Sequence, residues 1–190
     1  MDAGLLGRAA AMFAVTNVDD LVLLAVFFGQ AAGRRGELKV VVGQFLGFAA
    51  ILAVSVAGAL GAGLLPDGAV RWLGVLPVLL GLRAAWQAWR ARDQDDDEPP
   101  TAAGVLGIAM VCFANGGDNV GVYVPAFAAT GPAGLVGFAV VFLAGVAVWC
   151  AAGRFLATRP GVARVLARWG HVVLPAVLIA LGVLILIGAF

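Results

Sequence analysis

Apolar residues run along this chain in six long blocks separated by short polar turns, at about 5–30, 40–64, 69–89, 103–128, 133–155 and 170–190. Each block supplies the roughly 20 mostly apolar residues that a helix needs to cross a bilayer. Polar residues interrupt two of the blocks near their middles: Thr16-Asn17-Val18-Asp19-Asp20 in the first and Asn115-Gly116-Gly117-Asp118-Asn119 in the fourth. The third and sixth each contain an internal proline, Pro77 and Pro175.

The pattern repeats along the chain. Asp19-Asp20 and Asp118-Asn119 lie 99 positions apart, Leu76-Pro77 and Leu174-Pro175 lie 98 apart, and Arg71-Trp72 and Arg168-Trp169 lie 97 apart. Loop insertions and deletions produce such a drift. Three spans per half is an odd number, so the second half must enter the membrane in the opposite sense. The predicted fold is an all-α integral membrane protein of about six transmembrane helices, a three-plus-three inverted repeat with broken first and fourth helices. The first repeat covers 1–90, an acidic linker 91–102 and the second repeat 103–190.

Composition strengthens the membrane reading. Hydrophobic residues make up 63% of the 190 positions and charged residues 12%, with a mean hydropathy of +1.03. Soluble domains carry about 25% charged residues; this chain could not coat itself with polar surface. A net charge of +1 gives no case for nucleic-acid binding. Cys112 and Cys150 both fall in apolar runs, and no spaced Cys/His set supports a disulfide framework or a zinc site. The run from Leu5 does not read as a cleaved signal, because the chain returns directly to the membrane.

Basic residues orient the spans. Arg34, Arg35, Lys39, Arg90, Arg92, Arg154, Arg159, Arg164 and Arg168 fall on one side, against Arg8 and Arg71 on the other. The positive-inside tendency puts both termini outside, in a multi-pass protein of the cell membrane. The acidic run Asp93-Gln94-Asp95-Asp96-Asp97-Glu98 falls on the inner side. A solvated linker is the simpler account of it, and a cation-collecting mouth the alternative. Trp72, Trp86, Trp89 and Trp169 near span ends fit an aromatic belt, and His171 fits an interfacial position.

The chemistry lies in the two interruptions. An Asp at the centre of a membrane helix costs roughly 2.5–3.5 kcal/mol to insert, so Asp19, Asp20 and Asp118 must face a polar cavity or one another. Thr16, Asp19 and Asp20 fall at i, i+3 and i+4, and Asn115, Asp118 and Asn119 repeat that spacing, which puts each set on one helix face. Thr16-x-x-Asp19 and Asn115-x-x-Asp118 also read as capping boxes for the half-helices that follow. On a regular helix Asp19 and Asp20 point about 100° apart, so both reach one ion only if the backbone unwinds there. The ligand set is carboxylate, amide and hydroxyl oxygen, suited to hard divalent cations. Like charges resist full ionisation together in a low-dielectric pocket; the empty site is expected to keep a proton that an entering cation displaces. Gln44 either lines the cavity or bonds across helices. Cys112 is a candidate soft ligand, more simply read as a small core residue, and Tyr123 and Pro125 read as packing and kink residues.

At these residues the chain resembles the cadmium resistance transporter family, CadD-like, of the lysine exporter superfamily. The matching stretches are Thr16-Asn17-Val18-Asp19-Asp20-Leu21, Gly43-Gln44-Phe45-Leu46-Gly47, Leu73 to Gly81, and Gly117-Asp118-Asn119-Val120-Gly121-Val122-Tyr123-Val124-Pro125. They occur in the right order over nearly the whole chain. The resemblance implies export of cadmium or similar divalent cations and a three-plus-three inverted repeat. Adjacent Asp19 and Asp20 depart from the family pattern of a single acid in the first motif.

These observations converge on a secondary-active cation/proton antiporter working by alternating access, not an enzyme. Asp19, Asp20 and Asp118 are the expected metal ligands, with Thr16, Asn17, Asn115 and Asn119 supplying neutral oxygens or positioning the acids. Gln44 and Cys112 are candidate lining. No resident cofactor is expected: the divalent metal, with Cd²⁺ the expected ion, is cargo and protons are the coupling ion. The expected partners are membrane lipid and the metal, and a homodimer is left open. Alternatives are the same fold exporting manganese, calcium or a small organic cation, and an intramembrane aspartyl enzyme using Asp19 with Asp118.

Overall fold

The computed structural model describes residues 3–62 and 104–159, with isolated positions 72, 75, 78, 79, 82, 85, 86, 179, 180, 183, 186 and 187. Among the described residues the secondary structure is helical throughout, without strands. The first predicted span is a bent pair, α1 (Ala3–Thr16) and α2 (Val18–Gln30), meeting at Asn17 at 58°. The second is a single helix, α3 (Gly33–Ala62). The fourth is again a bent pair, α4 (Gly104–Asn115) and α5 (Gly117–Gly131), meeting at Gly116 at 62°. Helix continues to Ala157 after an interruption at Gly131 (φ 72°, ψ 175°), giving the fifth span, α6 (Gly134–Ala157). The backbone departs from helical angles at Gly131, not at Pro125, where the kink was expected. Of the third and sixth predicted spans only scattered positions are described, most of them helical. Pro77, Pro175, Arg71, Arg168, Trp89, Trp169, His171 and the acidic run lie outside the described residues. Trp72 and Trp86 are exposed.

Short connections dictate the packing. Two residues, Ala31 and Ala32, join α2 to α3, and Gly33 takes a positive φ of 64° to start the new helix; only glycine adopts that angle without penalty. Apolar contact with lipid gives helices no hydrophobic reason to associate, so small residues must let backbones approach closely. A methyl group on Gly43 would lie 2.7 Å from the Ile108 side chain, and one on Gly47 would lie 2.6 Å from the Ala109 carbonyl. On α6, a methyl on Gly145 would meet the Phe13 ring and one on Gly153 would meet Leu24, each at 2.5 Å.

These contacts also give the directions of the helices. Gly43, Gly47, Ile51 and Gly58 of α3 meet Ile108, Cys112, Gly116 and Val124 in turn, so α3 runs alongside α4 and α5 in the same sense. Gly145, Trp149 and Gly153 of α6 meet Phe13, Asn17 and Leu24, so α6 runs alongside α1 and α2. The Glu37–Arg154 ion pair (3.0 Å) and the Phe48–Phe142 ring contact (6.2 Å) set α3 and α6 antiparallel. Each unbroken span thus lies along the broken span of the other half, and the two broken spans run in opposite directions.

The core where they cross is aromatic. Phe13, Phe48, Tyr123, Phe127, Phe138 and Phe142 are all buried, with neighbouring ring centroids 4.8–6.4 Å apart. The outer face of α3 shows Leu38, Val42, Leu46 and Val54, and that of α6 shows Val136, Val140, Leu143 and Val148. Apolar stripes of that length would be a liability in water and are the normal surface of a helix in lipid.

Candidate functional site

The first break is wrapped in hydrogen bonds. The Asn17 amide nitrogen donates to Phe13 O (2.8 Å), Tyr123 OH (2.8 Å) and Thr16 Oγ1 (2.9 Å), and its Oδ1 accepts from Asn119 Nδ2 (3.3 Å). The Thr16 hydroxyl donates to Met12 O (2.8 Å) and pairs with Tyr123 OH (2.8 Å). Trp149 closes the cage from α6: its indole Nε1 donates to the Asn17 backbone carbonyl at 2.6 Å. All of Thr16, Asn17, Asn119 and Tyr123 are buried. In such surroundings an unmade hydrogen bond costs about 1–3 kcal/mol, and this network leaves few unmade.

The second break works differently. Gly116 (φ −88°, ψ 15°) donates its N–H to Cys112 O (2.9 Å) and accepts from Asn119 N–H (3.1 Å). A methyl group there would sit 2.5 Å from Ile51 Cδ1. The expected capping boxes do not form. Thr16 and Asn115 are the last residues of α1 and α4, the N-caps are Asn17 and Gly116, and neither makes a side-chain cap bond. The helices run one residue further than the motif requires, so the Thr16 hydroxyl is satisfied by its own preceding turn and Asn115 reaches across the bundle.

The acids sit just past the breaks. Asp19 and Asp20 occupy the first turn of α2 and Asp118 the first turn of α5, where unpaired backbone N–H groups and the helix dipole favour negative charge. One atom from the other half bridges the acid pair: Asn115 Nδ2 lies 3.0 Å from Asp19 Oδ2 and 2.9 Å from Asp20 Oδ1. Gln44 Nε2 donates to the second Asp20 oxygen at 2.9 Å. Asp19 Oδ1 is buried without a hydrogen-bond partner among the described residues. Both carboxylates reach this one amide nitrogen without the unwinding expected for their sharing one ion. The helix is regular across Asp19 and Asp20, and the bend at Asn17 aims both at the end of α4.

Asp118 is half-buried and close enough to Asp19 and Asp20 for the charges to act on one another. Cys112 is buried behind the pair, its thiol directed at the Gln44 carbonyl (3.8 Å). Among the described residues no three Asp, Glu, His or Cys side chains converge into a ready-made metal centre. The structure thus joins Asp19, Asp20, Asn115 and Gln44 in one cluster and Thr16, Asn17 and Asn119 in a second directly behind it, with Asp118 alongside. The sequence reading missed Trp149 and took Tyr123 only for packing. The available signal was position: Trp149 lies deep within an apolar span, where an indole N–H must find a partner.

A helical chain with lipid-compatible spans and buried or half-buried acids at the breaks of two bent helices is a membrane protein with a polar centre. Its family follows from the whole sequence. The profile described as "Cadmium resistance transporter" matches residues 13–189, and the chain belongs to that family. No curated protein and no solved structure matches it.

Proposed function

We propose that this protein is a secondary-active exporter of divalent cations, with Cd²⁺ as its ion, exchanging metal for protons by alternating access across the cell membrane. The observation that carries the reading is the convergence of Asp19 and Asp20 from one broken span on a single atom of Asn115 from the other. An amide N–H donor occupies the place where a cation would be attracted by both carboxylates. Asp19, Asp20 and Asp118 are the proposed ligands. Thr16, Asn17, Asn115 and Asn119 supply neutral oxygens or hold the acids, and Gln44 lines the cavity. The opposite directions of the two broken spans, and the reciprocal packing of α3 and α6, support an inverted repeat with the site at its centre. The gathering of Arg34, Arg35, Lys39, Arg154 and Arg159 at one end supports that end as cytoplasmic, with both termini outside.

Coupling follows from charge. Clustered carboxylates in a low-dielectric pocket hold protons when empty, and metal binding releases them. Protons and metal compete for the same oxygens, so metal affinity weakens as pH falls, and an acidic exterior promotes release there. The test is Cd²⁺ flux in proteoliposomes under an imposed pH gradient, with proton release per metal counted by calorimetry in buffers of different ionisation enthalpy. The expected result is efflux accelerated by external acid and abolished in an inserted, folded Asp118→Asn variant. Flux indifferent to the gradient, with no protons released, would rule out antiport; wild-type flux in Asp118→Asn would rule out the site.

A further inference from the structure

Away from the acid cluster, a groove of about 420 Å³ lies between the start of α3 and the end of α6. Its walls are apolar, with Phe28, Val41, Phe45 and Ala147 among them, and its mouth carries Arg34, Glu37 and Arg154. Arg154 makes a two-pronged bond to Glu37, Nε to Oε1 and Nη2 to Oε2, both at 3.0 Å. That pair neutralises itself. Arg34 has no ion-pair or hydrogen-bond partner among the described residues, so the mouth is net positive. A neighbouring recess of about 280 Å³ adds Arg35 and Lys39 at the same end of the bundle. Positive charge over apolar walls is unsuited to a cation pathway.

The dimensions suit a different occupant. From Arg34 to Phe45 the groove follows α3 for roughly 16 Å at the helical rise of 1.5 Å per residue. The charged turns to Lys39 stand at headgroup level, and the apolar stretch from there to Phe45 reaches about 9 Å into one leaflet of the ~30 Å hydrocarbon core. Its walls belong mainly to α3 and α6, the two helices that are each long and apolar enough to cross a membrane alone. A guanidinium at the interface, with apolar wall beneath it, matches a phosphate headgroup above an acyl chain, and basic pockets between spans on the cytoplasmic side select anionic lipid. The geometry points to a binding site for one anionic phospholipid, its chain along the groove and its phosphate at Arg34, with Arg154 beside it. The inference rests on α3 and α6 spanning the bilayer, not on the ion assignment.

The test uses the full chain in nanodiscs of equal phosphatidylglycerol and phosphatidylcholine, released into a native mass spectrometer. The expected result is one retained phosphatidylglycerol per chain, several-fold in excess over phosphatidylcholine. The Arg34→Gln, Arg154→Gln double variant should bring that ratio to one or below, because it removes both guanidiniums and leaves the Glu37 carboxylate unpaired at the mouth. Ala147→Trp should fill the groove and expel the lipid while leaving helix content and Cd²⁺ binding intact; if it fails to insert, Val41→Phe serves as the filling variant. Equal retention of the two lipids by the parent chain would overturn the proposal, as would a preference surviving in the double variant. So would lipid retained after filling, or a second copy of the chain found in place of lipid.

Discussion

At Asn17 the chain turns between α1 and α2 inside a cage of side-chain bonds from Thr16, Asn119, Tyr123 and Trp149; at Gly116 it turns through a similar angle with backbone bonds and no side chain of its own. The two breaks sit at equivalent places in the two halves, yet one is held by added chemistry and the other by its absence. The difference tracks the cargo of each break. Asp19 and Asp20 both follow the first, and a pair of adjacent acids aimed at one point needs a fixed backbone beneath it. A single acid follows the second, and Gly116 must instead admit Ile51 of α3. Break one therefore holds the acid pair in place, while break two carries Asn115, which bridges the two carboxylates.

The largest test of this contrast is at the acids themselves. Asp20→Asn removes one of the two charges converging on Asn115 and should weaken Cd²⁺ binding by about 100-fold or more, measured by calorimetry on the purified protein; Asp118→Asn, one step aside from the bridge, should weaken it by about tenfold while still stopping transport. Equal losses in the two would erase the distinction between the halves.

Stability comes next. Asn17→Ala leaves Tyr123, Asn119 and Thr16 short of partners and should cost about 2–4 kcal/mol, read from thermal unfolding in detergent. Gly116→Ala has only the far end of Ile51 to displace and should cost about 1 kcal/mol. A reversed order would mean that the backbone, not the cage, holds the first break. Trp149→Phe keeps the ring against Phe13 and deletes one hydrogen bond, for a loss of about 1 kcal/mol; no change would remove α6 from the cage. The smallest effect is expected outside both breaks: Asp95, Asp96 and Asp97 changed together to Ser should leave maximal flux nearly unaltered, and a collapse would make the linker a metal-collecting element.

Much of this could be read from the chain, because membrane insertion makes sequence unusually legible. Apolar length marks the spans, and Thr16-Asn17-Val18-Asp19-Asp20 and Asn115-Gly116-Gly117-Asp118-Asn119 announce themselves as polar runs where polarity is expensive. The predicted limits of spans one, two, four and five lie within a few residues of the helices, apart from the start of α3, which begins seven residues earlier at Gly33. That helix opens on Arg34, Arg35, Glu37 and Lys39, charged turns that a hydropathy pattern does not detect. The capping-box reading failed because spacing alone cannot say whether a helix ends one residue sooner or later. Trp149 stayed hidden because nothing near it in sequence is polar; its partner is 132 positions away.

The sequence by itself determined the solvent, the spans, the two breaks and the acids, since each follows from the local cost of placing a residue type in lipid. Only the tertiary structure decided which groups meet. Asn115 reaches Asp19 and Asp20 because α3, running along the opposite half, brings α4 to the start of α2; Gln44 and Trp149 join because α3 and α6 cross at the aromatic core. Such encounters depend on small residues that let whole helices approach, Gly43, Gly47, Gly145 and Gly153, and a glycine's permission for contact names no partner until the helices are packed.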